Sequence, residues 1–350
     1  MYKQSLQLFF LAVLSGYIFS LGHIPLPWTL GPLVIAAFWK CLIKKEVYWP
    51  KKFRNTGMLF LGYMMGSPFT QSVAHQVFYQ LPLMLTVTLV LITLCLGTGY
   101  IANRFVGIGT ANSVIGSLPG GLSQMSIICE ETDGTDVSVV TLMQTVRVIT
   151  VVFTVPLLAL HGISDKAAAA SRMTTNISPS ELPLLAVFAV TILLLIKLCQ
   201  RIQLANTYVI APILGTALLV LAGVPAPPLP FTVIALAQVV IGIRMGIDVD
   251  FSSLPNWKKI AASSLLSVLA VILLLLGFAF IISHFYAMSL VTAFISLAPG
   301  GMSEMGLIAL SANADLPTVV AFQLFRLLFI LIVCIPVARW WLHKQGHMCT

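Results

Sequence analysis

Apolar stretches of membrane-spanning length follow one another along almost the whole chain, and this constrains the fold more than any other feature. In the first half they fall at roughly 6–22, 26–43, 55–69, 81–102, 109–131 and 136–160. In the second they fall at roughly 183–200, 204–223, 231–247, 260–283, 289–312 and 315–342. A helix crosses a bilayer with about 20 predominantly apolar residues. The 350 residues are 59% hydrophobic and 9% charged, with a mean hydropathy of +1.00. No soluble domain has that balance, so the sequence predicts an all-α polytopic membrane protein.

The formal charge of +8 does not point to nucleic acid. Most Lys and Arg residues sit in short loops beside apolar segments, the positive-inside pattern. The six cysteines at 41, 95, 129, 199, 334 and 349 are scattered, with no CxxC pair, so a disulfide framework is not expected. Lys3 precedes an apolar run, but that run lacks a small-x-small cleavage site and a second apolar segment follows at once. It reads as the first spanning helix, not as a signal peptide.

The chain repeats itself at an offset of 180. "SLPGGLSQM" at 117–125 lies on "SLAPGGMSEM" at 296–305 with Pro119 on Pro299, Ser123 on Ser303, Gln124 on Glu304 and Met125 on Met305. Upstream, "LGPL" at 30–33 lies on "IAPI" at 210–213, and "GYMMG" at 62–66 on "GIRMG" at 242–246. Downstream the offset is 179: Asp136, Gln144 and Arg147 fall on Asp315, Gln323 and Arg326. Apolar residues match easily by chance; Pro, Gly, Asp, Gln and Arg do not. The expected organisation is a first repeat at 1–161, a polar linker at 162–182 and a second repeat at 183–350.

Loop charge sets the relative orientation of the repeats. The loop at 40–54 carries six basic residues against Glu46, while its counterpart "GVPAPPLP" has no charge. "TQSVAHQ" is likewise uncharged, and its counterpart ends in Lys258–Lys259. Corresponding loops therefore face opposite sides, which makes the repeats inverted and requires an odd number of crossings in each. Six segments must give five crossings, and the one interrupted by Pro-Gly-Gly is the natural exception. Each arm of 109–131 has about ten residues, roughly 15 Å of helix, which is half the apolar thickness. The expectation is a re-entrant hairpin per repeat, ten crossings, both termini inside and the linker outside. A rival reading has the broken segments cross, which makes the repeats parallel.

Irregular backbone at membrane depth is tolerated only where protein or a wet cavity satisfies its polar groups. Two inverted hairpins would bring their tips together near the midplane, as in secondary transporters. The candidate substrate-binding residues at the tips are Gly120, Gly121, Ser123, Gln124, Gly300, Gly301 and Ser303, with Glu304 as the candidate ion-coupling carboxylate. The plainer alternative is a tight turn between two short packed helices. The repeated Asp-x7-Gln-x2-Arg adds Gln144, Arg147, Gln323 and Arg326. Each arginine lies about 16 Å along its helix, near mid-bilayer, where a charge marks a functional site by default. Its planar fork suits a carboxylate or phosphate; a structural pair such as Arg326–Glu304 is the alternative. Asp136 and Asp315 stand where helices begin, as site support or as N-caps. Arg244 and Asp248, four apart, suit a helical salt bridge. None of the six histidines is at metal-ligand spacing with Cys, Asp or Glu. No GxSxG, Walker motif or HExxH occurs, so neither an enzyme centre nor a metal or other cofactor is expected.

At "SLPGGLSQM" with "DVSVVTLMQTVRV", and "SLAPGGMSEMGLIAL" with "DLPTVVAFQLFRLL", the chain resembles the duplicated membrane AbrB family of bacteria, over nearly its whole length. Family labels include an ammonia monooxygenase and a regulator. No copper or iron ligand set supports the first, and no DNA-binding motif supports direct regulation. The family is distantly similar to the glutamate and citrate symporters, with five crossings and a re-entrant hairpin per half. That analogy implies a mobile core carrying both hairpins and a fixed scaffold able to pair as a homodimer. Residues and resemblance together predict a secondary transporter of the bacterial inner membrane. Its cargo would be a small organic anion or zwitterion, coupled to H⁺ or Na⁺ through Glu304 and held by Arg147 and Arg326. The alternative is a non-transporting membrane sensor that influences gene expression through a partner.

Overall fold

The computed structural model describes residues 2–22, 24, 26–43, 49–120, 125, 128–129, 135–163, 181–202, 204, 206–248, 256–286 and 288–344. The protein is all-helical, with no strand among the described residues. The helices of the first half are α1 (Tyr2–Leu21), α2 (Pro27–Ile43), α3 (Lys51–Gly66), α4 (Gln71–Tyr79), α5 (Leu81–Val106), α6 (Thr110–Ser117) and α7 (Val137–Leu157). Those of the second half are α8 (Leu182–Arg201), α9 (Thr207–Leu221), α10 (Phe231–Asp248), α11 (Trp257–Phe285), α12 (Leu290–Leu297), α13 (Met302–Ser311), α14 (Leu316–Phe329) and α15 (Ile335–Lys344). Short π-helical stretches at Leu158–Ile163 and Ile330–Cys334 adjoin Pro156 and Pro336. Pro336 frees the carbonyl of Ile332, one turn before it and inside the second stretch, and a widened turn is one way to accommodate that.

By length and composition, seven helical stretches among the described residues can cross a membrane: Gln4–Leu21, Leu81–Val106, Val137–Leu160, Pro183–Arg201, Phe231–Asp248, Trp257–Phe285 and Leu316–Ala338. The ten crossings expected from the sequence include three shorter helices, α2, α3 and α9, of 17, 16 and 15 residues. Helix α4 is a further element. Its uncharged segment reads as a loop in the sequence, yet it forms nine helical residues with none buried.

The described chain gathers into two compact units, and each takes residues from both sequence halves. One comprises Met1–Phe78, Ser164–Val249 and Gly306–Val320; the other comprises Tyr79–Ile163, Asp250–Met305 and Ala321–Thr350. In the first, α2 packs on α1 and α10, α3 packs on α9 and α10, and α8 packs on α9. Backbones touch where the duplicated glycines lie. A Cβ on Gly66 would stand 2.5 Å from the Ile213 carbonyl oxygen, and one on Gly62 2.8 Å from Pro212 Cβ. At the matched place in the other half, a Cβ on Gly242 would stand 2.5 Å from the Thr29 carbonyl oxygen, and one on Gly246 would collide with that of Leu33. Lipid supplies no hydrophobic drive between helices, so such small-residue seams are what lets them pack closely. Around them lie a cluster of Leu8, Ala12, Ala36, Trp49, Val239 and Ile243 and another of Tyr63, Phe188, Ile192, Ile196, Cys199 and Ala211. Tyr63 packs edge-on against Phe188 and donates its hydroxyl to the Pro227 carbonyl at 2.6 Å.

In the second unit, α11 packs against α5, α7 and α12, while α6 lies between α5 and α7. Ile92, Ile115, Leu118, Met125, Ile128, Val140 and Ile330 belong to its main apolar cluster. Arg147 and Arg326 both lie in this unit, and so do both Pro-Gly breaks.

Candidate functional site

Helices α6 and α12 are each eight residues long and stop one residue before a Leu-Pro or Ala-Pro step. The stop is local chemistry. Proline drives the preceding residue out of the helical region, and Leu118 and Ala298 adopt ψ of 131° and 134°. The chain then folds over each proline in a three-residue turn: Gly120 N–H donates to the Leu118 carbonyl at 2.8 Å, and Gly300 N–H to the Ala298 carbonyl at 2.8 Å. This leaves a cluster of helix-end carbonyls without intrahelical donors.

Those carbonyls are where the arginine forks go. Arg147 donates from Nη1 to the Leu118 carbonyl at 2.7 Å and from Nη2 to that of Gly120 at 3.0 Å. Arg326 donates from Nη1 to the Ala298 carbonyl at 2.7 Å and from Nη2 to that of Gly300 at 2.8 Å. Each fork therefore brackets a proline. The glutamine one turn earlier completes the clamp. Gln144 Nε2 donates to the carbonyls of Ile115, Gly116 and Leu118 at 3.0–3.3 Å. Gln323 Nε2 does so to Ile295, Ser296 and Ala298 at 3.1–3.5 Å. Arg326 Nη2 also bonds Gln323 Oε1. All four side chains are buried. The two clamps match residue for residue at the offsets of 180 and 179 read from the sequence. Even the lid is repeated: Met125 lies over Gly120 and Met305 over Gly300, where a Cβ would strike the methionine side chain.

Glu304 is buried and accepts from Ser303 Oγ at 3.0 Å. It sits in the first turn of α13, whose opening bond runs from Met305 N–H to the Gly301 carbonyl at 3.0 Å. That makes Gly301 the N-cap and Glu304 the third helical residue, the position from which a carboxylate folds back in a capping box. Its Oε2 lies over Gly301 so closely that a Cβ there would collide with it.

The remaining expected residues divide clearly. Asp136 caps α7, its Oδ1 accepting from Ser138 N–H at 2.8 Å, and its own N–H donates to Asn112 Oδ1 at 2.8 Å. Asp315 opens α14 and accepts from the Thr318 hydroxyl. Arg244 and Asp248 form a two-pronged ion pair at 2.7 and 3.0 Å. Gly121, Ser123 and Gln124 lie outside the described residues. A cavity of about 30 Å³ borders both breaks, touching Gly116, Ser117 and Arg147 at the first and Pro299 at the second.

A family model described as Transition state regulatory protein AbrB matches residues 6–342. The chain belongs to the AbrB family. The motifs that suggested this membership are the two clamps. Among AbrB relatives, "Uncharacterized protein YhjN" of Bacillus subtilis (strain 168) is 26% identical, over 97% of this chain and 94% of its own. "Putative regulator AbrB" of Escherichia coli (strain K12) is 26% identical, over 94% of each chain. No solved structure matches this AbrB chain.

Sequence reasoning named Gln144, Arg147, Gln323 and Arg326 but gave the arginine forks to an external anion. In the structure their Nη groups meet the carbonyls at the two Pro-Gly breaks. A usable signal was present: a Pro-Gly break frees several carbonyls, and arginine carries five donors and no acceptor. The contributions of Cys95, Ser264 and Ser267 to the cavity wall had no sequence signal, since small residues are common on all membrane helices.

Proposed function

We propose that this AbrB-family protein is a secondary transporter of the bacterial inner membrane, with two inverted repeats of five crossings and one re-entrant hairpin each. It moves a small organic anion or zwitterion together with H⁺ or Na⁺ and carries out no chemical conversion. The observation that carries the reading is the pair of matched Arg–Gln clamps on two Pro-Gly helix breaks within one compact unit. Two short half-helices ending in clamped turns are what opposed hairpins at membrane depth require.

In this mechanism the arginines position the turns, and their charge makes the region between them attractive to an anionic group. Glu304 is the one acidic side chain on the second tip; its counterpart, Gln124, cannot ionise. That asymmetry gives the coupling ion a single carboxylate. The unit that contains both breaks acts as the moving core of an elevator, and the glycine-seamed unit acts as the scaffold, which can pair as a homodimer. A second reading, a membrane sensor acting on gene expression through a partner, is favoured by the name of the E. coli relative, "Putative regulator AbrB".

Glu304→Gln separates the possibilities, because a capping box accepts Glu or Gln at this position. The variant should fold with an unchanged thermal midpoint. In proteoliposomes, a substrate found by thermal-shift screening against metabolites should still exchange but no longer accumulate against its gradient. Unchanged accumulation by the variant removes the coupling role. A wild-type protein that binds a metabolite yet neither exchanges nor accumulates it supports the sensor.

A further inference from the structure

Helix α3 opens on a basic surface patch whose charges the fold leaves unanswered. Its first four residues are Lys51, Lys52, Phe53 and Arg54. Lys51 and Lys52 are exposed and Arg54 is half-buried. Other basic side chains of the same compact unit are engaged within the fold. Lys40 Nζ donates to the Ile247 carbonyl at 2.8 Å, at the C-terminal end of α10, and Arg244 pairs with Asp248 at 2.7 Å. Lys51, Lys52 and Arg54 have no such side-chain partner among the described residues. Nor does the local sequence neutralise them, since residues 40–54 carry six basic residues against Glu46 alone.

The helix does not account for these charges either. The positive end of the helix dipole favours acidic residues in the first turn and disfavours basic ones. α3 has no acidic residue there, and Pro50 before it supplies no side-chain cap. Three cations therefore stand against one another and against the dipole. Their setting is the edge of a bilayer. Apolar sequence follows at 57–66, and charged groups on a helix surface are held out of the hydrocarbon. Aromatic residues, which gather at headgroup depth, mark the same level. Trp49 and Phe53 pack with ring centroids 5.5 Å apart, and Phe53 is half exposed. Phe60, also exposed, lies seven residues from Phe53, two turns along the same face.

We propose that the patch of Lys51, Lys52 and Arg54 docks the phosphate of an anionic phospholipid, with the acyl chains lying along the Phe53–Phe60 face of α3. Charge complementarity selects the headgroup: a zwitterionic lipid carries its own ammonium, which the patch repels. The exposed aromatic face selects a lipid over a soluble phosphate. The bound headgroup offsets the repulsion in the first turn and so stabilises α3, which packs on α9 and α10. The site requires a bilayer but not transport, so it and the transporter reading stand or fall separately.

The test uses the full-length purified protein in nonionic detergent, with phosphatidylglycerol or phosphatidylcholine of the same acyl chains added to the micelles. Phosphatidylglycerol should raise the thermal midpoint saturably. Phosphatidylcholine should not, and neither should glycerol phosphate, the soluble headgroup. Each basic residue near an anionic surface is worth about fivefold in affinity. Lys51→Gln, Lys52→Gln and Arg54→Gln combined should therefore need about a hundredfold more phosphatidylglycerol for half the rise. Without lipid, the same triple variant should melt no lower than the wild type, because it removes repulsion within the first turn. Lys197→Gln with Arg201→Gln changes exposed basic residues at the C-terminal end of α8 and should leave the response as it was. An equal rise with phosphatidylcholine or glycerol phosphate, an unshifted response of the triple variant, or an equal loss in the α8 pair would each overturn the site. So would a lipid-free midpoint lowered by the triple change, which would mean that the three charges serve the fold.

Discussion

Arg147 and Arg326 each span two carbonyls that lie on either side of a proline, a task that lysine cannot perform. A lysine retains the charge, but its single ammonium is not a planar fork. Arg147→Lys or Arg326→Lys can serve only one of the two carbonyls, and losing the other charge-assisted hydrogen bond costs about 1.5–3 kcal/mol. The midpoint of the ligand-free protein should therefore fall. If the arginines served only to hold a transported anion, the ligand-free midpoint would not move, and melting without substrate decides between the two. The residues of this clamp were legible in the sequence, because Pro, Gln and Arg recur at fixed offsets. Their partners were not, since no side-chain pattern announces a backbone carbonyl as an acceptor. Glu304 shows the opposite case. Its identity set it apart at once, but its place as the third residue of α13, over Gly301, emerges only with the helix start fixed.

At the scale of elements, the glycines of "GYMMG" and "GIRMG" lie in helices and look like weak points, because glycine in a helix costs about 1 kcal/mol relative to alanine. Their surroundings reverse the sign. A methyl on Gly66 or Gly242 meets a neighbouring helix's carbonyl at 2.5 Å, so Gly66→Ala or Gly242→Ala must push α3 from α9 or α10 from α2. Overpacking of this kind costs about 1–3 kcal/mol. Gly277 in α11 is the control, since nothing lies within 4 Å of its would-be Cβ. Gly277→Ala should stabilise by about 0.4–1 kcal/mol. Denaturation of the three variants side by side tests this; equal effects at all three sites would mean that the close approaches carry no energetic weight. The helices themselves were plain in the sequence, because long apolar runs leave no alternative. Helix α4 was not, because its nine uncharged residues, none of them buried, form too short a segment between two apolar runs to read as more than a loop.

For the whole molecule, the duplication was visible but the grouping was not. Each compact unit draws on both halves. The glycine seams run from α3 to α9 and from α10 to α2, so each half supplies one partner to each seam. A repeated sequence cannot say whether its elements pack within a copy or across copies, since both give the same pattern of apolar faces. Nor does this exchange fix the handedness of the duplication. Repeats related by an axis in the membrane plane and repeats related by an axis along its normal both map one seam onto the other. Loop charge distinguishes them: the 40–54 loop carries Lys40, Lys44, Lys45, Lys51, Lys52 and Arg54, and its counterpart "GVPAPPLP" carries none. Under the inverted arrangement, residue 45 is cytoplasmic, and five crossings per repeat place the 162–182 linker outside. Lys45→Cys and Lys166→Cys, each in a cysteine-free background, should then react with a membrane-impermeant maleimide from opposite faces of the membrane. Labelling of both from the same face would exclude the inverted arrangement. It would leave the two clamped turns as matched helix breaks that do not enter the membrane from opposite sides.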